Sequence, residues 1–265
     1  MTTQSFSTEH LQTLLAFPFK DEDWKNKFVI GSLVVFASFA IPLIPLFFVY
    51  GYMVQIMRRI IVEKGELFLP EWDDWGKLFV DGLKLLGVAL IYMLPVMILF
   101  MVGFFMMFFL PMLGIPIAAI GGEENPEAAG AAFGVLTIVI MAGFSVLFGL
   151  GMILSIAIGV VMPAILGHVV ATDDFSAAFR LKEWWAVFRA NLSGFLIAYG
   201  IIILMSIVLS SAFTILYCTI ILSCLVPIIT APVTMYLIVI YGAIFGQAYR
   251  DGVQKLASQA SVVEA

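Results

Sequence analysis

The chain has 265 residues, 63% of them hydrophobic and 12% charged, with a formal net charge of −5 and a mean hydropathy of +1.11. Its thirteen Lys and Arg form no dense basic block, which excludes the clustered basic face of a nucleic-acid binder. So much apolar sequence needs a lipid bilayer as its main solvent and first partner, since about 20 such residues already cross the hydrocarbon core. Residues 1–19 open the chain as a polar and amphipathic tail. They lack a basic start before their short apolar patch, so they are expected to remain in the mature protein rather than be removed as a signal peptide. From 20 to 250 the sequence predicts a single membrane domain, and 251–265 a C-terminal tail.

Four stretches carry no Asp, Glu, Lys or Arg: Phe28–Met57, Leu85–Gly122, Ala128–Thr172 and Ala190–Tyr249. The basic residues fall between them, in Lys20–Lys27, Arg58–Lys84, Arg180–Arg189 and Arg250–Lys255. Positive charge collects on the cytoplasmic side, so each intervening stretch should cross an even number of times and the C-terminus should return inside. The first stretch, 28–57, holds Pro42 and Pro45 at its middle. Each removes a backbone donor there, which favours two half-helices in a re-entrant hairpin over the rival, a kinked single span with the N-terminus outside. An amphipathic helix at 70–84 then lies in the interface, with Trp72, Trp75, Phe79 and Leu83 on one face and Asp73, Lys77, Asp81 and Lys84 on the other. Full spans are expected at 85–110 and 133–166, joined by an outer loop holding Glu123, Glu124 and Glu127. A second interfacial helix follows at 174–190, and spans at 192–217 and 219–245 complete the array. The fold class is therefore all-α and polytopic: four full spans, an N-terminal hairpin or kinked fifth span, and two interfacial amphipathic helices.

Asp73-Asp74-Trp75 with Phe79 recurs as Asp173-Asp174-Phe175 with Phe179. Both copies open an amphipathic stretch that leads into a span. An internal two-fold repeat of the kind found in transporters and a shared helix-start chemistry account for the echo equally well.

Glu71, Trp72, Asp73, Asp74 and Trp75 form the leading candidate for an interaction site, because three carboxylates beside a helix start could hold a cation or grip a basic partner segment. Carboxylates are also favoured at helix N-termini by the dipole, and Trp at interfaces, so capping and anchoring is the stronger reading. Pro42 and Pro45 mark a helix break or re-entrant turn. His168 near Asp173 and Asp174 suggests a metal pair, but no second His stands at ligand spacing. Ser206, Ser210, Ser211, Thr214 and Cys218 line up as packing or pore-facing groups, with packing favoured. Cys218 and Cys224 read as small hydrophobes in a helix. The chain carries no His-Glu-x-x-His, no Gly-x-Ser-x-Gly, no phosphate loop and no carboxylate pair inside an apolar run. No catalytic residue, metal or cofactor is expected, and the chain reads as non-enzymatic.

The succession Pro18-Phe19-Lys20-Asp21, Trp24, Gly51-Tyr52, Leu69-Pro70-Glu71-Trp72-Asp73-Asp74-Trp75, Asp81-Gly82-Leu83-Lys84 and Gly246-Gln247-Ala248-Tyr249-Arg250 resembles the prokaryotic membrane family known as domain of unknown function 4013. The Pro-Glu-Trp-Asp-Asp stretch is its most specific part. The resemblance implies an integral membrane protein and brings no activity, cofactor or catalytic residue with it. Two non-enzymatic functions lead on the sequence, with a membrane enzyme ranked third behind them. One is a non-catalytic scaffold, accessory or membrane-organising module of the cell membrane, working with a membrane-protein partner or as a homo-oligomer. The other is a transporter or channel for a small, weakly charged or apolar solute.

Overall fold

The computed structural model describes residues 8–63, 67–122, 125–217 and 225–263. Glu123, Glu124, Cys218 and Cys224, and the connection that holds the two cysteines, lie outside the described residues. Among the described residues eight α-helices follow in order: α1 Thr8–Ala16, α2 Trp24–Ala37, α3 Ile44–Arg58, α4 Trp75–Gly122, α5 Pro126–Thr172, α6 Leu181–Ala190, α7 Leu192–Tyr217 and α8 Val226–Val263. Short 3-10 turns at Phe17–Phe19 and Phe175–Phe179 precede α2 and α6, and a π-helical turn at Arg59–Glu63 extends α3. Among the described residues there is no strand. Five helices, namely α3 with its extension, α4, α5, α7 and α8, are long and apolar enough to cross a membrane. The all-α, polytopic class predicted from hydropathy is the one observed.

Two compact units divide the chain, the first made of residues 1–88 and 162–265 and the second of Ala89–Val161. In the first, α8 is the core helix, packed by α1, α2, α3, α6 and α7. Ala231, Met235, Val239, Ile240, Ala243, Ile244, Phe245, Ala248 and Tyr249 on α8 are all buried. Small residues set the approach distance: a Cβ on Gly242 would press on Met53, and one on Gly31 of α2 would press on Met235. The α3–α4 crossing is tighter still. A Cβ at Gly51 would collide with the backbone carbonyl of Leu78, and one at Gly82 with that of Phe47. Each glycine therefore faces the other helix's backbone, the contact that small residues permit between helices lacking a hydrophobic drive to associate.

The first apolar run folds as a helix hairpin. Its turn is 38–43, where Leu43 takes a positive φ of 76° just ahead of Pro45 at the start of α3. The indole of Trp72 donates to the Lys27 carbonyl at 3.0 Å and stacks on the Tyr52 ring at 4.3 Å. Lys27 and Tyr52 thus flank one side chain, whereas 25 residues of continuous helix would hold them about 37 Å apart. The kinked single span is excluded by this. Inside the turn Phe39, Ala40 and Ile41 donate back to Phe36 and Ala37, and Ile44 and Leu46 donate to Pro42 and Leu43. Pro42 and Pro45 have no N–H at all, so two donors that lipid could not satisfy are absent where the chain reverses.

The first amphipathic stretch is continuous with the span after it. Trp75 opens α4, which runs unbroken for 48 residues, about 72 Å if straight, with Pro95, Pro111 and Pro116 inside it. Residues 67–74 ahead of it form neither helix nor strand and bend at Trp72. The second stretch is a separate helix, because α6 ends at Asn191, whose buried side chain donates to the Ala248 carbonyl and accepts from Lys255. This helix has two apolar sides: Trp184, Val187 and Phe188 are buried, whereas Leu181 and Trp185 stay exposed.

In the second unit α4 and α5 pair through rings laid over glycines. A Cβ on Gly151 would meet Phe100, and one on Gly103 would meet Phe144. Phe100, Phe148, Phe144 and Phe104 continue as a row of ring contacts between 5.2 and 5.8 Å.

Candidate functional site, an acidic-aromatic clasp and its polar cleft

The segment 67–74 crosses the base of the hairpin and is tied to it through the carbonyls of Phe68, Leu69 and Pro70, the Trp72 indole and the Glu71 carboxylate. Pro70 fixes the local backbone, and its carbonyl accepts from Tyr52 Oη at 2.9 Å. The Leu69 carbonyl accepts from Lys27 Nζ at 3.1 Å. Lys27 is buried, and its ammonium also meets Asp21 at 2.9 Å and Glu71 at 2.7 Å. Burial pulls the Lys27 ammonium down, but hydrogen bonds and charge from Glu71 and Asp21 more than offset this and leave it above the usual lysine range. Asp21 is the mirror case. Burial pushes its carboxyl up, while Lys27 and the Asp23 N–H draw it below the ordinary carboxylate range.

One residue further, Asp74 accepts from the Lys77 N–H at 2.9 Å and so caps α4, while Asp73 accepts from the Asp74 N–H. Trp75 packs edge-on against Phe48 and keeps 41% of its surface exposed. The five residues singled out by sequence therefore play different parts. Glu71 and Trp72 clasp the hairpin, Asp73 and Asp74 form the helix entrance, and Trp75 faces outward. Glu71, Asp73 and Asp74 also line a polar cleft of about 260 Å3, opposite Gln55, Arg58, Arg59 and Glu63 of α3 and its extension and beside Lys77. Arg59 lies over the Phe68 ring at 4.0 Å and donates to the Phe68 carbonyl.

A second ion cluster shares Arg58 with the cleft. Arg58 donates to Asp81 at 2.8 Å and to Asp173 at 3.1 Å, and Lys84 reaches the same Asp173 oxygen at 3.2 Å. Asp173 takes a left-handed φ of 52°, a conformation that aspartate tolerates better than most residues. Burial raises its carboxyl, and Lys84 and Arg58 together hold it below the ordinary range. Asp174 accepts from the Ser176 N–H and pairs with Arg180. The two copies of the echo thus share a capping aspartate, but only the second contributes its leading aspartate to a cross-helix ion cluster.

His168 does not turn to Asp173 or Asp174. Its Nδ1 lies 2.7 Å from Tyr249 Oη and its Nε2 lies 3.0 Å from Glu183, tying α5 to α8 and α6. The hydroxyls of Ser206, Ser210, Ser211 and Thr214 all donate to carbonyls one turn back on α7, so they are satisfied within their own helix.

Lys27, Arg58 and Tyr52 escaped the sequence reading as site residues. The usable signal was their position, Lys27 and Arg58 bounding the first apolar run and Tyr52 just inside its end, where a polar group in lipid needs a partner.

The family model described as a protein of unknown function, DUF4013, matches residues 34–218. The chain belongs to this family. The match takes in the Gly51–Leu78 crossing, the clasp segment and the Asp81–Lys84 stretch, while the Pro18–Trp24 and Gly246–Arg250 motifs fall outside it. No curated protein and no solved structure matches the chain.

Proposed function

We propose that this DUF4013 member is a non-catalytic, multi-pass module of the cell membrane that organises or supports a membrane-protein partner or further copies of itself, with its C-terminus on the cytoplasmic side. One observation carries the reading. The charged groups that the fold buries, Lys27, Asp81 and Asp251, together with the half-buried Arg58, are engaged with partners in the same chain, as are His168 and Glu183. Groups held this way fix helices rather than turn over a substrate. The second unit adds a surface suited to association within lipid, since Met101, Ile138 and Ile153 leave roughly two thirds of their surface uncovered.

The test is purification in mild detergent alongside reconstitution into liposomes with a panel of small solutes. The expected result is a stoichiometric partner or a defined oligomer and no solute flux above that of protein-free vesicles. The second reading, passage of a small solute, draws on the polar cleft, whose walls carry both signs of charge. Flux abolished by Arg59→Ala or Lys77→Ala would establish it and remove the first.

A further inference from the structure

Two apolar grooves open beside α2. One, of about 680 Å3, runs along Lys25, Phe28, Leu33 and Phe36 and is closed by Ile228 and Pro232 of α8. The other, of about 610 Å3, lies between Phe19 and Phe28 on one side and Leu204, Val208 and Tyr236 on the other. Trp24, Phe28 and Pro232 line both, so the grooves meet along one ridge. From Trp24 to Phe36 the first groove follows about 18 Å of helix, a little more than half of a hydrocarbon core about 30 Å thick. Trp and Lys stand at its head, the residue types that mark a membrane interface. Lys27 is consumed by Asp21, Glu71 and Leu69, but Lys25 is exposed, its ammonium rests 5.9 Å from the Trp24 ring, and among the described residues it has no carboxylate within ion-pair distance.

We propose that these grooves seat one two-tailed phospholipid, a tail in each groove, with its phosphate on Lys25. Three features select that occupant over a protein helix. The grooves are nearly equal in volume, they share one ridge, and they carry a single unpaired cation at the head of one leaflet's depth. Two separate aliphatic chains beneath one anion match this arrangement. A helix would need one continuous trough about 10 Å wide.

The full-length protein in detergent, stripped of co-purifying lipid, is incubated with a diacyl phosphatidylethanolamine or with its single-tailed lyso form, and bound lipid is counted by native mass spectrometry. One diacyl molecule per chain is expected, held at least tenfold more tightly than the lyso form, since half the buried methylenes are lost with one tail. Leu33→Trp and Val208→Trp each fill one groove from a side chain that is 61% exposed, so the core is undisturbed. Each should reduce diacyl affinity to the level of the lyso form. Lys25→Glu should weaken binding about tenfold, and Lys25→Arg should restore it. Thermal unfolding of each variant, expected to match the wild type, reports that the fold is kept. Equal binding of diacyl and lyso forms, or full diacyl retention in both Trp variants, would overturn the proposal.

Discussion

The unit made of residues 1–88 and 162–265 and the unit Ala89–Val161 draw on the same apolar alphabet, but the first buries far more of it. In the first, Val49, Met57, Leu78, Ile165, Phe195 and Ile244 are fully or almost fully withdrawn from the surface, and ion clusters join helices far apart in sequence. In the second, Met101, Phe108, Met112, Ile138 and Ile153 are among many large side chains left exposed. The difference teaches that hydropathy alone does not say what covers an apolar helix. Glycine adds a local signal: at Gly51 and Gly82 it admits a second backbone and the helix is buried in protein, whereas Gly134 and Gly149 face open space, where the covering must come from lipid or a partner.

Glycine substitution is therefore the sharpest way to break the comparison. Gly51→Ala or Gly82→Ala puts a methyl into a main-chain carbonyl of the neighbouring helix, which no rotamer can relieve. Each should cost more than about 3 kcal/mol and abolish recovery of folded protein. Gly149→Ala in the second unit meets nothing within contact distance. It should be neutral, or raise stability by up to about 1 kcal/mol through helix propensity. Size-exclusion profiles and thermal unfolding of the three variants check this, and equal losses in both units would void the contrast.

The next largest effect belongs to the clasp. Lys27→Met leaves Asp21 and Glu71 without their shared cation, and removing one partner of a buried pair costs about 3 to 5 kcal/mol. The discount for Glu71, whose side chain is well exposed, places the expectation near the lower bound. Chemical denaturation of the variant against wild type measures it.

The same pair predicts a pH dependence. Asp21 is held below its ordinary range in the folded chain, so its stabilisation is complete above the unfolded carboxylate value and is lost as pH falls through the lower folded value. Lys27 is held above its ordinary range, so its contribution is complete below the unfolded lysine value and is lost only as pH rises through the higher folded one. Stability should fall on the acid side in wild type, and the Asp21 share of that fall should vanish in Asp21→Asn. An acid limb identical in both would detach Asp21 from the clasp.

Most of the fold was legible because its signals are local. The prolines at 42 and 45 carry the chain reversal, and the lengths of the charge-free runs give the helices. The site was legible by composition but not by partner. Glu71 and Trp72 could be singled out, yet Trp72 meets Lys27 and Tyr52 across 45 and 20 positions, and Glu71 pairs with Lys27 over a similar distance; sequence spacing does not encode such pairings. The continuity of α4 was hidden for a different reason. The charges on its first three turns look like an interfacial helix, whereas Asp81 is drawn inward by Arg58 and lets the helix run on into the apolar span. Asn191 worked the other way, since only the Ala248 carbonyl and Lys255 waiting beside it explain why α6 stops there.

The smallest effect is expected at the residues that looked most like a site. Asp74 accepts a single N–H from Lys77, and Asp73 accepts from Asp74 itself. Asn at both positions keeps a side-chain oxygen for each bond and removes only the charge, so the loss is confined to the interaction with the helix dipole, no more than about 1 kcal/mol. If the cleft they share with Arg58, Arg59 and Lys77 instead works through charge, by receiving a basic segment or a cation, the double variant must lose whatever it holds. Asp73→Asn/Asp74→Asn should therefore purify with wild-type thermal stability and with the same associated components. A lost component at unchanged stability would move these two carboxylates from the helix entrance to the centre of the protein's function.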